Sequence, residues 1–247
     1  MKENKIPGFI TVRTTSSRLP NKCLLPFGGI NVIQHIIERA LKYNIEPILC
    51  TSTHESDDIL EEIAKEYKIK YFRGSLANKL KRWLDCANHF NIKCFHTVDA
   101  DDPFFDGNEM KRSYRLLNEG NYDIVCPTES SSNGGASVGY SLTKDIIEKA
   151  IQNLNESTDT EMMWYYIDKV ANVKKKVLDE ENKNQVPKRL TLDYEEDYWL
   201  LVSIQKILGN LTERSNVENL FLNNPDLYKI NWFRNLEWKA GQESKKI

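Results

Sequence analysis

The chain has no basic excess. Lys and Arg number 34 against 36 Asp and Glu in 247 residues, a formal charge of −2. A protein that coats nucleic acid needs a positive surplus to replace phosphate counterions, so no nucleic-acid partner is expected. A small local basic pocket remains compatible with that balance. No apolar run approaches the ~20 residues that span a bilayer, and residues 45–50 are interrupted by Glu46. No membrane partner is expected. Residues 1–5 are charged and the apolar stretch at 6–12 is cut short by Arg13, so no secretory leader is expected either. The five cysteines (Cys23, Cys50, Cys86, Cys94 and Cys126) are odd in number and never spaced C-x-x-C. That spacing speaks against a disulfide framework or a zinc knuckle and for reduced thiols in a cytoplasmic protein. The sequence lacks G-x-x-x-x-G-K-[ST], G-x-G-x-x-G and any zincin pattern. It has no internal repeat and no low-complexity segment.

What is present is alternation. Residues 7–13 read as an apolar, β-branched strand and 14–21 as a polar loop ending in Leu19-Pro20-Asn21. Residues 31–44 carry Val32, Ile33, Ile36, Ile37, Ala40 and Leu41 at helical spacing. Strands are predicted at 45–51, 70–73, 93–98 and 123–127, with helices at 56–67, 78–90 and 104–118 between them. Such alternation predicts an α/β fold with a mostly parallel sheet covered on both faces. Ligands of such sheets lie beyond the carboxyl ends of the strands, here the loops after Val12, Thr51, Arg73 and Val98. The second half is less regular. It reads as a polar loop at 128–138, a strand at 137–142, helices at 144–154 and 161–169, and a strand at 171–177. A charged loop at 179–188, a strand at 189–193, helices at 195–208 and 215–223, and a peripheral tail at 232–247 complete it.

Three stretches carry chemistry. The first loop, Arg13-Thr14-Thr15-Ser16-Ser17-Arg18-Leu19-Pro20-Asn21-Lys22, sets three cations and four hydroxyls directly after a strand. Cations, hydroxyls and backbone N–H groups in that place suit a triphosphate, although a solvated basic loop has the same composition. The fourth strand ends in Asp99-Ala100-Asp101-Asp102-Pro103. Mg²⁺ takes one or two carboxylates together with substrate phosphates, which these acids could supply. At least one of them is also expected to cap the helix that follows. Asp193, in Arg189-Leu190-Thr191-Leu192-Asp193, again lies between a strand and a helix. Helix capping explains it when taken alone; sharing a metal with Asp101 requires its strand to lie beside the fourth.

The pattern Arg13-x-x-Ser16-x-Arg18-Leu19-Pro20-x-Lys22 resembles the opening signature of the cytidylyltransferases that activate acidic sugars. That group includes the CMP-ketodeoxyoctonate and CMP-nonulosonic acid synthetases. Four further stretches resemble its spore-coat polysaccharide protein F-like branch in order and spacing. They are Thr51-Ser52 to Asp57-Asp58, Phe72-Arg73-Gly74-Ser75 with Leu80 and Arg82, Arg189 to Asp193 with Glu196-Asp197, and Asn224-Pro225-Asp226-Leu227. The sequence departs from the family at Asp99-Ala100-Asp101-Asp102-Pro103, where the octulosonate enzymes carry Gln-Gly-Asp-Glu-Pro, and at Asn21, where Gly is usual.

The resemblance implies a Rossmann-like three-layer nucleotidyltransferase fold in one domain over 1–231. Its nucleotide-binding part spans 6–128, a small inserted acceptor and dimerisation segment about 129–188, and a metal box with C-terminal helices 189–231. It implies CMP transfer from CTP to an acidic acceptor with Mg²⁺, in a homodimer. Arg13 and Lys22 would hold the triphosphate, with Ser16 and Arg18 in the same loop. Arg73 and Ser75 would lie near the base or ribose, and Asp101 and Asp193 would bind Mg²⁺. Arg13, Lys22 and Asp101 are the implied catalytic residues. Two alternatives stay open: a metal-dependent glycosyltransferase, because Asp99-Ala100-Asp101 is an Asp-x-Asp pattern, and a CTP:phosphonate cytidylyltransferase. The stretch Glu161-Met162-Met163-Trp164-Tyr165-Tyr166-Ile167 reads equally as a dimer contact or a core helix.

Overall fold

The computed structural model describes residues 5–16, 18–133, 138–181 and 186–243. Expectations at Ser17, at 1–4 and 244–247, and within the loops at 134–137 and 182–185 lie outside the described residues. Strand β1 (Ile6–Thr11) leads to a hairpin of β2 (Pro26–Phe27) and β3 (Ile30–Asn31). There follow α1 (Val32–Lys42), β4 (Ile45–Ser52), α2 (Asp58–Glu66), β5 (Lys70–Gly74), α3 (Lys79–His89), β6 (Cys94–Asp99), α4 (Gly107–Glu119) and β7 (Ile124–Cys126). The second half holds α5 (Glu129–Ser132), β8 (Ser141–Thr143), α6 (Lys144–Ile151), α7 (Trp164–Ile167), β9 (Lys175–Val177), α8 (Glu195–Leu208), α9 (Arg214–Asn223) and α10 (Phe233–Glu243).

Side-chain alternation on β1 makes the three layers. Phe9 and Ile10, consecutive and fully buried, enter different hydrophobic clusters on opposite sides of the sheet. Ile10 joins apolar residues of α1, α2, α4, α8 and α9. Phe9 stacks on Phe95 of β6 at 4.1 Å and joins α3, α6 and α7. Helix α1 starts sharply because Asn31 and Gln34 form a reciprocal capping box. The turn ahead of it is Gly28-Gly29, with φ values of 66° and 92°, which joins β2 and β3 as a two-residue hairpin.

The main sheet has the order β5-β4-β1-β6-β8-β7-β9. Only β8 runs against its neighbours, β6 and β7. The predicted strand at 189–193 does not join the sheet. β6 is already paired on both sides, with β1 and β8, which leaves no free ladder for another strand. Its segment instead runs past the end of β6, where Leu192 N donates to Asp101 O at 2.7 Å. The helix predicted at 104–118 starts later, at Gly107, because Asp106 caps it by accepting from Asn108 N. Part of the polar stretch at 128–138 is the short helix α5, capped by Thr128. In α7, Met163 and Ile167 are buried in the core while Tyr165 is 53% exposed. The stretch predicted to be a peripheral tail contains α10, which packs against the start of α8. Among the described residues no helix is long and apolar enough to cross a membrane.

Candidate active site

From β1 the chain moves to β4 on one side and later to β6 on the other. The crevice between the carboxyl ends of β1 and β6 is the switch point where open α/β sheets take ligands. Thr11 pairs with Asp99 there, so the first loop and the acidic loop leave the sheet side by side.

The first loop is pinned before it reaches the crevice. Thr14 donates from its backbone N and its Oγ1 to Asp57 Oδ1, each at 2.8 Å. Asp57 Oδ2 accepts from Thr51 Oγ1 at 3.1 Å and Ser52 Oγ at 2.5 Å. Burial pushes the Asp57 carboxyl up, but the hydrogen bonds from Ser52, Thr14 and Thr51 hold it below the ordinary carboxylate range. At the far end Asn21 adopts φ 54°, a left-handed conformation that Asn tolerates as Gly does. The departure at Asn21 therefore preserves the turn, which sends Lys22 back into the crevice.

Lys22 is where the three sequence stretches meet. Its Nζ donates to Asp101 Oδ2 at 2.8 Å, to Asp193 Oδ1 at 2.9 Å and to Leu192 O at 2.9 Å. Burial works against its charge, but Asp101 and Asp193 outweigh burial and raise its pKa. Arg18 Nη2 also reaches Asp193 Oδ1, at 2.6 Å. Burial raises the Asp193 pKa, yet Lys22 and Arg18 bring it far below the usual range, so Asp193 is ionised. Asp99 is pushed up to about 6 by burial and then by the charge of Asp101. Asp102 is raised further by burial and by Asp101 and Asp99, while Thr191 Oγ1 donates to it at 2.7 Å.

Asp193 is not spent as a helix cap. Asp197 Oδ2 accepts from the backbone N of Asp193 and of Tyr194, each at 3.0 Å, and so serves the first turn of α8 itself. Arg189 grips both oxygens of Asp197, at 2.9 and 3.1 Å, and donates to Asp193 Oδ2 at 3.3 Å. Nor does Asp99, Asp101 or Asp102 cap α4, a role that falls to Asp106. None of these four acids caps a helix.

The remaining expected residues divide. Arg13 and Ser16 line a cavity of about 270 Å³ together with Arg18, Lys22 and Asp101. Arg13 is held there by Glu161, at 3.3 Å, and by Leu76 O, at 3.1 Å. Arg73 does not join them. It clamps the turn between β4 and α2 by donating to Ser52 O and His54 O and pairing with Asp58 and Glu61. Ser75 sits beside α3, where its Oγ donates to Glu156 O and accepts from Asn78 N.

Lys79, Arg82 and Glu161 also line the cavity, and sequence reading missed all three as site residues. Their signal was faint: Lys79 and Arg82 share one face of α3 at i, i+3 spacing, and Arg82 stood in a stretch that resembles the family without a role attached to it. Arg82 is 1% exposed, donates to Ser75 O from Nη1, and leaves Nε without a partner. No ion pair to a carboxylate is formed by it among the described residues; burial lowers its pKa, and the charge of Glu161 on the same cavity opposes that. A buried cation on the cleft wall with no carboxylate bonded to it is chemically suited to an anionic ligand.

A second cavity of about 230 Å³ adjoins the first and shares Arg18, Asp99, Asp101 and Glu161 with it. Among the described residues, no three His, Cys, Asp or Glu side chains are grouped to hold a metal by themselves. Asp101 and Asp193 nevertheless present oxygens from two different loops to one positive centre, Lys22 Nζ. Two hard oxygen donors of this kind fit a cation whose other ligands are phosphates and water.

Comparison with known proteins places the chain among relatives of one family. An uncharacterised protein of Methanocaldococcus jannaschii is 29% identical over 92% of this chain and 94% of its own length. The spore coat polysaccharide biosynthesis protein SpsF of Bacillus subtilis is 25% identical over 90% of this chain and 96% of its own. The solved structure of a cytidylyltransferase from Leptospira borgpetersenii is similar with a TM-score of 0.79 and 25% identity, covering 92% of this chain and 97% of that one. The family model for cytidylyltransferases matches residues 8–231, and the chain belongs to the cytidylyltransferase family.

Proposed function

We propose that the chain transfers CMP from CTP to an acidic sugar, an ulosonic or nonulosonic acid, releasing pyrophosphate for the synthesis of a surface polysaccharide or glycan. The observation that carries this reading is the convergence of Arg18, Lys22, Asp101 and Asp193 at the crevice between β1 and β6. The acceptor oxygen attacks the α-phosphorus in line, and the bond to the bridging oxygen of pyrophosphate breaks. Such transfer asks the protein for positioning and charge neutralisation rather than for a nucleophile of its own. Arg13, Arg18, Lys22 and Arg82, which line one cavity, hold the triphosphate, the Lys22 ammonium exchanging its carboxylates for phosphate oxygens. Asp101 and Asp193 would hold Mg²⁺, which supplies further neutralisation of charge at the α-phosphate. Pinning of the loop by Asp57 and of Asp193 by Asp197 keeps these groups in place before CTP arrives.

The reading includes a cytoplasmic homodimer, which sedimentation of the purified chain tests as twice 28.7 kDa. Activity is tested by incubating the protein with CTP, MgCl₂ and a panel of sugar acids and measuring pyrophosphate. Release with at least one acid supports the reading. Silence across the panel together with no CTP binding overturns it, and hydrolysis of a sugar nucleotide without pyrophosphate favours a glycosyltransferase instead.

A further inference from the structure

The match to the family ends at residue 231, yet the chain continues into α10, and α10 reaches the site. Asn231 Nδ2 donates to Arg189 O and to Asp197 Oδ1, both at 2.9 Å. This seats the start of the helix on the segment that carries Asp193. Arg234 pairs with Glu196 at 2.8 Å and lies 4.8 Å over the ring of Tyr194. Asn235 is 1% exposed, and its Oδ1 accepts from Arg189 Nη1 at 3.5 Å. Its amide nitrogen has no hydrogen-bond partner among the described residues. Trp238, three positions on, shares its helix face, and both residues line the second cavity.

That cavity has the chemistry of a sugar site. Trp238 and Tyr140 supply aromatic surface, Ser132 a hydroxyl, and Asn235 an amide with an unused donor. A sugar ring offers apolar C–H faces to flat aromatic side chains and hydroxyls to short polar ones. The volume of about 230 Å³ has room for one such ring. The shared wall of Arg18, Asp99 and Asp101 sets an occupant beside the place where the α-phosphate would lie.

We infer that Trp238 and Asn235, on a helix outside the family-matched region, form the specificity wall of a monosaccharide-acid acceptor site. Trp238 stacks on the sugar ring, and Asn235 with Ser132 hydrogen-bonds its hydroxyls. The inference rests on the proposed CMP transfer for the identity of the acceptor. Acceptor choice in this chain is then written partly in α10, while nucleotide binding is written in the matched region.

The test uses the full chain with 3-deoxy-manno-octulosonate and N-acetylneuraminate as probes. For the acid that turns over, Trp238→Ala and Asn235→Ala should each raise the acceptor KM about tenfold and leave the CTP Kd, measured by calorimetry, within twofold. Trp238→Phe, which keeps an aromatic face, should recover most of the loss. An unchanged acceptor KM, or an equal loss of CTP affinity, overturns the inference while leaving the proposed reaction standing. If the wild-type chain turns over neither acid, ligand-observed NMR on the CTP-loaded protein decides. Binding of a probe to wild type and Trp238→Phe but not to Trp238→Ala sustains the inference. Equal binding to all three, or none to wild type, overturns it.

Discussion

Lys22 reports how the site balances its charges. Its ammonium lies between carboxylates from two loops, and both interactions keep it protonated despite burial. Asp101 is the more open of the two acids, with 29% of its side chain exposed against 1% for Asp193. Asp101→Asn should lower kcat about 100-fold or more, the scale for losing one group that stabilises developing charge. Its melting temperature should stay within a few degrees of wild type. Chelation of divalent cations should abolish pyrophosphate release, and added MgCl₂ should restore it. Arg82 makes a different prediction. Exchanging a buried charge without an ionic partner for an apolar side chain is often neutral for stability. Arg82→Met should therefore raise the KM for CTP about tenfold while shifting the melting point by less than about 3 °C, the equivalent of under 1 kcal/mol at this chain length. A collapsed melting point with unchanged KM would assign the guanidinium to structure.

At the scale of elements, the site depends on two loop anchors that contribute no group to the chemistry. Asp57 ties the first loop to the end of β4, and Asp197 ties the approach to α8. Arg189 and Asp197 are both essentially buried and doubly bonded. Breaking such a pair leaves an uncompensated buried charge and costs about 3–5 kcal/mol. Asp197→Asn should destabilise the chain by that amount in urea titrations and lower kcat, since Asp193 loses its backbone anchor. Asp57→Asn should behave similarly, because Thr14, Thr51 and Ser52 lose their common acceptor.

Across the molecule, the near-neutral total conceals a strongly organised interior. His35 and His96 are buried, and burial lowers both pKa values to about 4. The charge of Arg39 adds to this at His35, and hydrogen bonds to Pro103 O and Val138 O oppose it. Both rings stay neutral in the fold, whereas the unfolded chain protonates them near 6.5. Between those values the unfolded state binds more protons, so stability falls as the pH drops from about 6.5 towards 4. At pH 5 the loss is roughly 2 kcal/mol per ring. Melting curves should show a steady decline over that range, and NMR should find these two rings still neutral at pH 6.

Much of the architecture was legible because helical and strand periods are local properties. Residues 31–44 and 195–208 carried their elements in their own spacing. The motif residues Arg13, Lys22, Asp101 and Asp193 were singled out by their places in an ordered family signature, since composition alone fits a solvated loop or a helix cap as well. What the sequence could not settle depended on partners distant along the chain. Residues 189–193 look like a strand, but β8 already occupies the free edge of β6. Arg73 looks like a nucleotide ligand, but Asp58 and Glu61 claim it. Arg82 stands in a stretch that resembles the family, and only packing shows that it is buried on the cleft with no carboxylate bonded to it. The chain by itself determined the α/β class and the signature by which the family is known. Tertiary structure decided which of them meet, and brought α10 against the cleft, because burial and ion pairing are settled by neighbours in space.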